Sequence, residues 1–220
     1  MRTINPQEWK KQFGDVNSTN VKPRIKEVVN CIDGGRVLHV GCVGGGPVVD
    51  RENWLHGHLS IHADEVVGVD IDETAINQLA ESNWNVQLDD AEKLEYVDGP
   101  FDFVVAGEVI EHLSNPGKML NSVDKKLDDD GRLLLTTPNV WSVVYFRRLI
   151  SGSNPVGNEE HTCWFDKNTL LELTNRHGYE AEISLLQPSE PGIASVLYRL
   201  NRELGGTRLF ADLSSKKEKV

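Results

Sequence analysis

The chain has 220 residues and carries 23 Lys and Arg against 34 Asp and Glu, a formal net charge of −11 at neutral pH. With 39% hydrophobic and 26% charged residues it has the usage of a folded domain, which excludes a disordered, collagen-like or low-complexity chain. The negative charge argues against general nucleic-acid binding, and no apolar run approaches the roughly 18 residues that membrane insertion requires.

In chain order, the residues predict a short helix over Pro6 to Phe13, with Trp9 and Phe13 on one face, and a second over Val21 to Ile32. A strand is expected at Arg36 to Val40, and Pro47 stands where a following helix would start, since a first-turn proline lacks only an N–H that had no partner. Glu65 to Val69 reads as a strand, Glu73 to Glu81 as a helix and Asn85 to Leu88 as a third strand. Phe101 to Ala106 is apolar enough for a strand buried on both faces. Then come a helix from Pro116 to Leu127, a strand at Gly131 to Thr136, a helix at Lys167 to His177 closed by Gly178, and a strand at Tyr179 to Leu186. A helix near Ala194 to Leu204 and a last strand near Arg208 to Leu213 complete the pattern, and the charged end, residues 214–220, is expected to fray. Such alternation predicts an α/β sandwich on a mostly parallel sheet, with ligands at the carboxyl ends of the strands.

The residues at those ends are chemically pointed. After the first strand stands Gly41-Cys42-Val43-Gly44-Gly45-Gly46, a turn that lets backbone approach a ligand. After the second stands Asp70, placed to accept from both hydroxyls of a ribose, while Asp72 reads as a helix cap. After the third comes Asp89-Asp90-Ala91-Glu92, either an acceptor and backbone donor for a base edge or a solvated acidic turn. After the fourth come Glu108, Glu111 and His112, which any helical turn puts on one face, as an acid–base or metal cluster or as a surface ion cluster. His161 follows on the long connection after the fifth strand. Trp141, Tyr145, Phe146 and Trp164 on that connection read as a substrate wall or a dimer contact, and Arg147-Arg148 as a contact for an anionic substrate or, more simply, a solvated pair. His62 and His177 read as residues at helix ends. Cys31, Cys42 and Cys163 show no CxxC spacing and the chain opens without a signal peptide, so a reducing cytoplasm is the expected compartment.

Taken together, Val37 to Gly45, Val67 to Asp70, Asp90 to Glu92, Phe101 to Leu113 and Gly131 to Asn139 resemble, in order and spacing, the class I S-adenosylmethionine-dependent methyltransferases. The similarity runs to about Leu186 and leans to the small-molecule and lipid-quinone O-methyltransferase branch. It implies a three-layer Rossmann-like sandwich with a seven-stranded sheet whose last strand is antiparallel. The methyltransferase domain would span residues 36–213, preceded by an N-terminal helical segment, 1–35, that folds over the cofactor as a lid. By position, Gly41, Cys42, Val43 and Gly45 would wrap the methionine part of S-adenosylmethionine. Asp70 would hold the ribose, Ile71 would pack on adenine, and Asp90 and Ala91 would meet its edge. Gly107 and Glu108 would lie beside the sulfonium. Two departures stand out: His39 replaces an acid that normally supports the methionine amino group, and Val43 replaces a central glycine.

For transfer to an oxygen, the resemblance makes His112 the first candidate base and His161 the second, with Glu108 beside them. Glu108, Glu111, His112 and His161 could instead hold a divalent metal ion that orients vicinal oxygens, as similar patterns do in metal-using quinone and RNA-terminal relatives; this use is not the favoured one. The expected partner is a small-molecule acceptor, a glycan or lipid-linked precursor included. A nicotinamide-dependent oxidoreductase leaves Asp90 and the Glu-x-x-Glu-His run without a role, whereas a non-catalytic relic would draw on His39 and Val43. The acceptor and the oligomeric state are not legible at this level.

Overall fold

The computed structural model describes residues 4–44, 51–154, 158–189 and 192–216. Gly45, Gly46, Pro47 and the helix expected from Pro47 lie outside the described residues, as does the end of the chain from 217. The apolar runs become β1 (Arg36–Val40), β2 (Glu65–Asp70), β3 (Val86–Leu88), β4 (Phe101–Gly107), β5 (Leu127–Pro138), β6 (Tyr179–Leu186) and β7 (Arg208–Ser215). They form one sheet in the order β3-β2-β1-β4-β5-β7-β6. β7 runs antiparallel to both of its neighbours and the other pairs are parallel, so six strands share a direction and the last opposes them, as expected. The chain changes direction of travel across the sheet between β1 and β4, and their carboxyl ends open the crevice where such sheets bind ligands.

Strand periodicity divides the core in two. Leu38, Val104, Leu133 and Leu135 face one layer, where α5 (Pro116–Asp124) contributes Met119, Leu120 and Val123 and α7 (Lys167–Arg176) contributes Leu170. Val37, Val105 and Leu134 face the other, where α2 (Pro23–Asn30) contributes Ile25, Val28 and Val29 and α3 (Leu55–His62) contributes Leu55 and Leu59. A third cluster of Trp9, Trp54, Leu79 and Trp84 joins α1 (Pro6–Phe13) to α4 (Glu73–Glu81) behind the first turn. Trp9 is fully buried, edge-on to His58, and a Cβ at Gly57 would meet its ring at 2.5 Å, so that glycine lets α1 dock on α3. The Trp84 indole donates to the Ile4 carbonyl at 2.9 Å and ties down the same segment.

Several boundaries differ from the sequence reading. The second helix starts at Pro23, whose fixed φ suits a first turn, rather than at Val21. The helix expected to run to Leu204 is interrupted at Asn201, whose backbone is extended, and becomes α8 (Ile193–Leu200) and α9 (Arg202–Gly205). β7 continues to Ser215, whose hydroxyl donates to Asp124, and the Lys216 amide donates to the Gly178 carbonyl, so the first residues of the expected frayed end belong to the sheet. Helix α6 (Val143–Ile150) was not anticipated, and of α3 only its end at His62 was.

Candidate functional site

The turn after β1 is built by one carbonyl and one carboxylate. The amides of Gly41 and Cys42 donate to the Val69 carbonyl at 2.8 and 3.1 Å, and the Val43 amide donates to Asp70 Oδ2 at 3.0 Å. Gly41 has φ +74°, and a Cβ there would lie 2.4 Å from Val109 Cγ2, so both the backbone and the space require glycine. The Trp54 indole donates to the Cys42 carbonyl at 2.8 Å from behind. Cys42 is fully buried, and burial followed by the nearby Asp70 charge pushes its thiol up, away from any reactive thiolate.

Asp70 Oδ1 accepts from the Asp72 amide at 3.1 Å. A carboxylate has about four acceptor positions, so counting the bonds from the described residues two remain for a ligand. Ile71 beside it is 75% exposed, an apolar side chain presented to solvent next to that carboxylate. Asp72 caps α4 through the Ala75 amide, the role its position suggested. At the end of β3 the two acids divide. Asp89 is buried and accepts from the amides of Asp90, Glu95, Tyr96 and Val97, organising the loop. Asp90 is half exposed, accepts from the Glu92 amide at 2.9 Å and stands 3.5 Å from Lys93; Ala91 is buried behind it.

His39 lies beneath the turn. It is 2% exposed, its ring stacks on His56, and the two Nδ1 atoms stand 3.3 Å apart. Burial, with the neighbouring imidazole and Arg24 adding to it, drives His39 well below the ordinary histidine range, and burial takes His56 down to about 3. Where the resemblance has an acid, this chain therefore has a neutral imidazole pair sealed under Trp54 and Trp84.

The end of β4 departs from the expected helical turn. Glu108 has φ +60°, a left-handed conformation costing a residue with a Cβ roughly 1–2 kcal/mol, and only Ile110–His112 form a short 3-10 turn. Glu108 therefore does not share a helical face with Glu111 and His112. Its Oε2 accepts from Arg208 Nε at 2.5 Å, while its Oε1 is buried without a hydrogen-bond partner among the described residues. Glu111 is 2% exposed; Oε2 accepts from the Thr137 hydroxyl at 2.9 Å and Oε1 has no partner among the described residues. Burial, reinforced by the Glu108 charge, pushes its carboxyl up to about 8. The Glu111 carbonyl accepts from the Thr162 and Cys163 amides, which brings His161 edge-on to His112 with ring centroids 4.7 Å apart. Burial and the neighbouring His112 lower His161 below its ordinary value, so its imidazole is neutral at neutral pH.

A cavity of about 440 Å³ is lined by Glu108, Glu111, His112, Tyr145, His161 and Arg208 among others. The Tyr145 and Trp164 rings pack edge to face at 5.4 Å along one side. Arg208 and Thr137 were missed by the sequence reading. Arg208 stands 100 residues from Glu108, and only the antiparallel β7 brings it to the same sheet end. Donor atoms of Glu111, His112 and His161 lie within 4.8 Å of one another, and one carboxylate with two imidazoles is a donor set that divalent cations accept. Glu108, expected to join them, is outside this trio and paired with Arg208. His58 is a core residue bonded to the Glu52 carbonyl, and His177 closes α7 against Asn121. Among the described residues no helix is long and apolar enough to cross a membrane.

A family model described as "Methyltransferase domain" matches residues 17–182. The ubiquinone biosynthesis O-methyltransferase of Coxiella burnetii (strain Dugway 5J108-111) is 28% identical over 185 residues, covering 79% of this chain and 75% of the relative. The protein of the same name from Rickettsia bellii (strain OSU 85-389) is 28% identical over 206 residues, covering 89% and 76%. Among solved structures, a TehB-like SAM-dependent methyltransferase from Corynebacterium glutamicum superposes with a TM-score of 0.58 at 16% identity over 96% of this chain and 98% of that one. A SAM dependent methyltransferase from Archaeoglobus fulgidus gives 0.59 at 20% identity over 96% and 99%. The two structures share the fold.

Proposed function

The chain belongs to the methyltransferase-domain family and is an S-adenosylmethionine-dependent methyltransferase, and from that premise we propose that it methylates an oxygen of a small molecule, glycans and lipid-linked precursors included. The observation that carries the oxygen reading is the His161 imidazole set edge-on to His112 beside the buried Glu111, all facing one cavity at the end of β4. A hydroxyl acceptor gains from losing its proton, typically by about 10²–10⁴-fold, and an unprotonated imidazole is the group to take it. The relatives named ubiquinone biosynthesis O-methyltransferase support the same acceptor atom.

Bound S-adenosylmethionine supplies an electrophilic methyl on its sulfonium. The protein's part is alignment and proton handling. In this reading the Gly41–Gly44 turn offers backbone to the methionine part, and Asp70 accepts ribose hydroxyls on its two remaining positions. Ile71 covers one face of the base, and Asp90 with Ala91 meets its edge. Gly107 and Glu108 border the reacting end, where Arg208 holds the Glu108 carboxylate in place. An imidazole nitrogen of His161, or of His112 beside it, takes the acceptor proton, and Tyr145 with Trp164 excludes water from one side. A divalent cation would be held by Glu111, His112 and His161, and would supply Lewis acidity to the acceptor oxygen; the oxygen reading does not depend on it. In this reading the expected N-terminal cover serves the site through α1, while α2, whose Ile25, Val28 and Val29 pack in the core under β1, joins residues 36–213 in the catalytic domain. The unpaired cysteines favour a cytoplasmic setting, and the net charge disfavours general nucleic-acid binding.

The test is methyl transfer from labelled S-adenosylmethionine to a panel of phenols, catechols, sugars and amines. Label should appear on oxygen, and His161→Ala should lower kcat by about 10²–10⁴-fold while leaving S-adenosylhomocysteine affinity unchanged. Transfer to amines alone would overturn the assignment.

A further inference from the structure

Helices α6 and α8 each leave an apolar stripe in solvent. On α6, Phe146, Leu149 and Ile150 are 60, 61 and 72% exposed and fall on one helical face at i, i+3 and i+4. On α8, Ile193, Val196 and Leu200 are 57, 60 and 78% exposed at i, i+3 and i+7, again one face. Single exposed apolar side chains are ordinary, but two stripes on helices that touch each other form a patch. The patch borders the functional site: Val144 of α6 and Ile193 of α8 line a cavity of about 530 Å³ together with Glu108 and Arg208.

The charge around these stripes opposes that of the rest of the chain. The protein carries −11, yet residues 139–154 and 192–202 contain no Asp or Glu and hold Arg147, Arg148, Arg199 and Arg202. The guanidiniums of Arg148 and Arg202 lie over the rings of Tyr145 and Tyr198, 6.0 and 5.7 Å from the centroids. Apolar faces flanked by arginines, here with Glu203 as the next acid along the chain, are the pattern of a helix lying in the headgroup region of a bilayer, where side chains leave water and cations meet lipid phosphates. A second copy of the chain fits less well, because a two-fold contact sets the four arginines against their own mates.

We propose that α6 and α8 form a docking face for an anionic lipid surface, on which the protein lies without crossing it. Docked this way, the mouth of the site faces the headgroups, and a lipid-linked acceptor would enter without passing through water. That last consequence rests on the function proposed above; the docking itself does not.

The test is flotation of the full chain with vesicles of phosphatidylcholine, alone or with about one-third phosphatidylglycerol. The protein should float with the anionic vesicles, less so as salt rises from about 50 to about 500 mM. Leu149→Glu with Val196→Glu, at exposed positions outside the site, should weaken the partition at least about tenfold with an unchanged melting temperature. Leu200→Ser provides a milder second variant, with a smaller loss. Absence of vesicle binding by the wild-type chain, or binding that neither variant weakens, overturns the proposal. So does a wild-type dimer that the double variant dissociates without any vesicle binding, which assigns the face to a second copy. Neither acceptor nor S-adenosylmethionine is present, so failure here is distinct from failure of the proposed reaction.

Discussion

Gly41→Ala perturbs the turn that positions the whole site. The residue sits at φ +74°, where a Cβ costs roughly 1–2 kcal/mol, and that Cβ would stand 2.4 Å from Val109 Cγ2. Relieving such an overlap in a packed region costs roughly 1–3 kcal/mol more. The sum, about 2–5 kcal/mol, corresponds to a fall in melting temperature of roughly 4–20 °C for a chain of this size. The two contributions separate in a double-mutant cycle. Val109→Ala removes the clashing methyl but not the backbone strain, so the Gly41→Ala/Val109→Ala pair should be about 1–3 kcal/mol less destabilised than the single effects added. Urea unfolding followed by tryptophan fluorescence measures all four corners. S-adenosylhomocysteine binding by Gly41→Ala should weaken at least about tenfold, because the displaced turn also moves the Val43 amide off Asp70. A Gly41→Ala protein within about 0.5 kcal/mol of wild type, or a cycle without coupling, would refute this account of the turn.

Three further outcomes follow from the same geometry. His56, with a folded value near 3 against about 6.5 unfolded, takes up a proton more readily in the unfolded chain; stability should be level above about pH 6.5 and fall by about 1.4 kcal/mol per unit on the way down to about 3, with His39 acting in the same direction. Urea midpoints at pH 7.5 and 5 read this, and a higher midpoint at pH 5 would contradict it. Arg208→Ala leaves Glu108 and Glu111 facing each other without their cation; kcat should fall at least about tenfold with cofactor affinity kept, Arg208→Lys recovering part of it, and equal kcat in all three proteins would show that the pair is idle. Deleting residues 1–14 strips Trp9 from Trp54 and His58 and should weaken cofactor binding through the Trp54–Cys42 contact; calorimetry with unchanged affinity would remove the N-terminal segment from the site.

The strands were legible because buried parallel strands are written as short β-branched runs closed by Gly or Asp, as in Val37 to Gly41 and Val66 to Asp70, whereas the antiparallel last strand came from the family resemblance. Of helix α3 only the end at His62 was legible, since Leu55–His62 holds a glycine and three histidines and no strong helix signal; its reason for being helical is tertiary, the docking of Trp9 over Gly57. Without the course of α3 the His39–His56 pair stayed hidden, because it needs both elements in place. At the site, the positions of Asp70 and the Glu111–His112 pair could be read from strand ends. The left-handed Glu108 and its partner Arg208 could not, because an isolated positive φ in a glutamate has no sequence signature and a contact across 100 residues depends on the direction of β7. Asp89 and Asp90 look alike in sequence; only the alternation of side chains at the end of β3 sends one inward to four amides and leaves the other half exposed.

The most direct measurement is calorimetric titration of S-adenosylhomocysteine into the wild-type chain and into Asp70→Asn, with melting temperatures recorded for both. If Asp70 holds the ribose, the wild-type protein binds and Asp70→Asn loses at least about tenfold, or about 1.4 kcal/mol, while its fold is retained. Equal affinities in the two proteins would contradict the placement of the cofactor across the ends of β1 and β2.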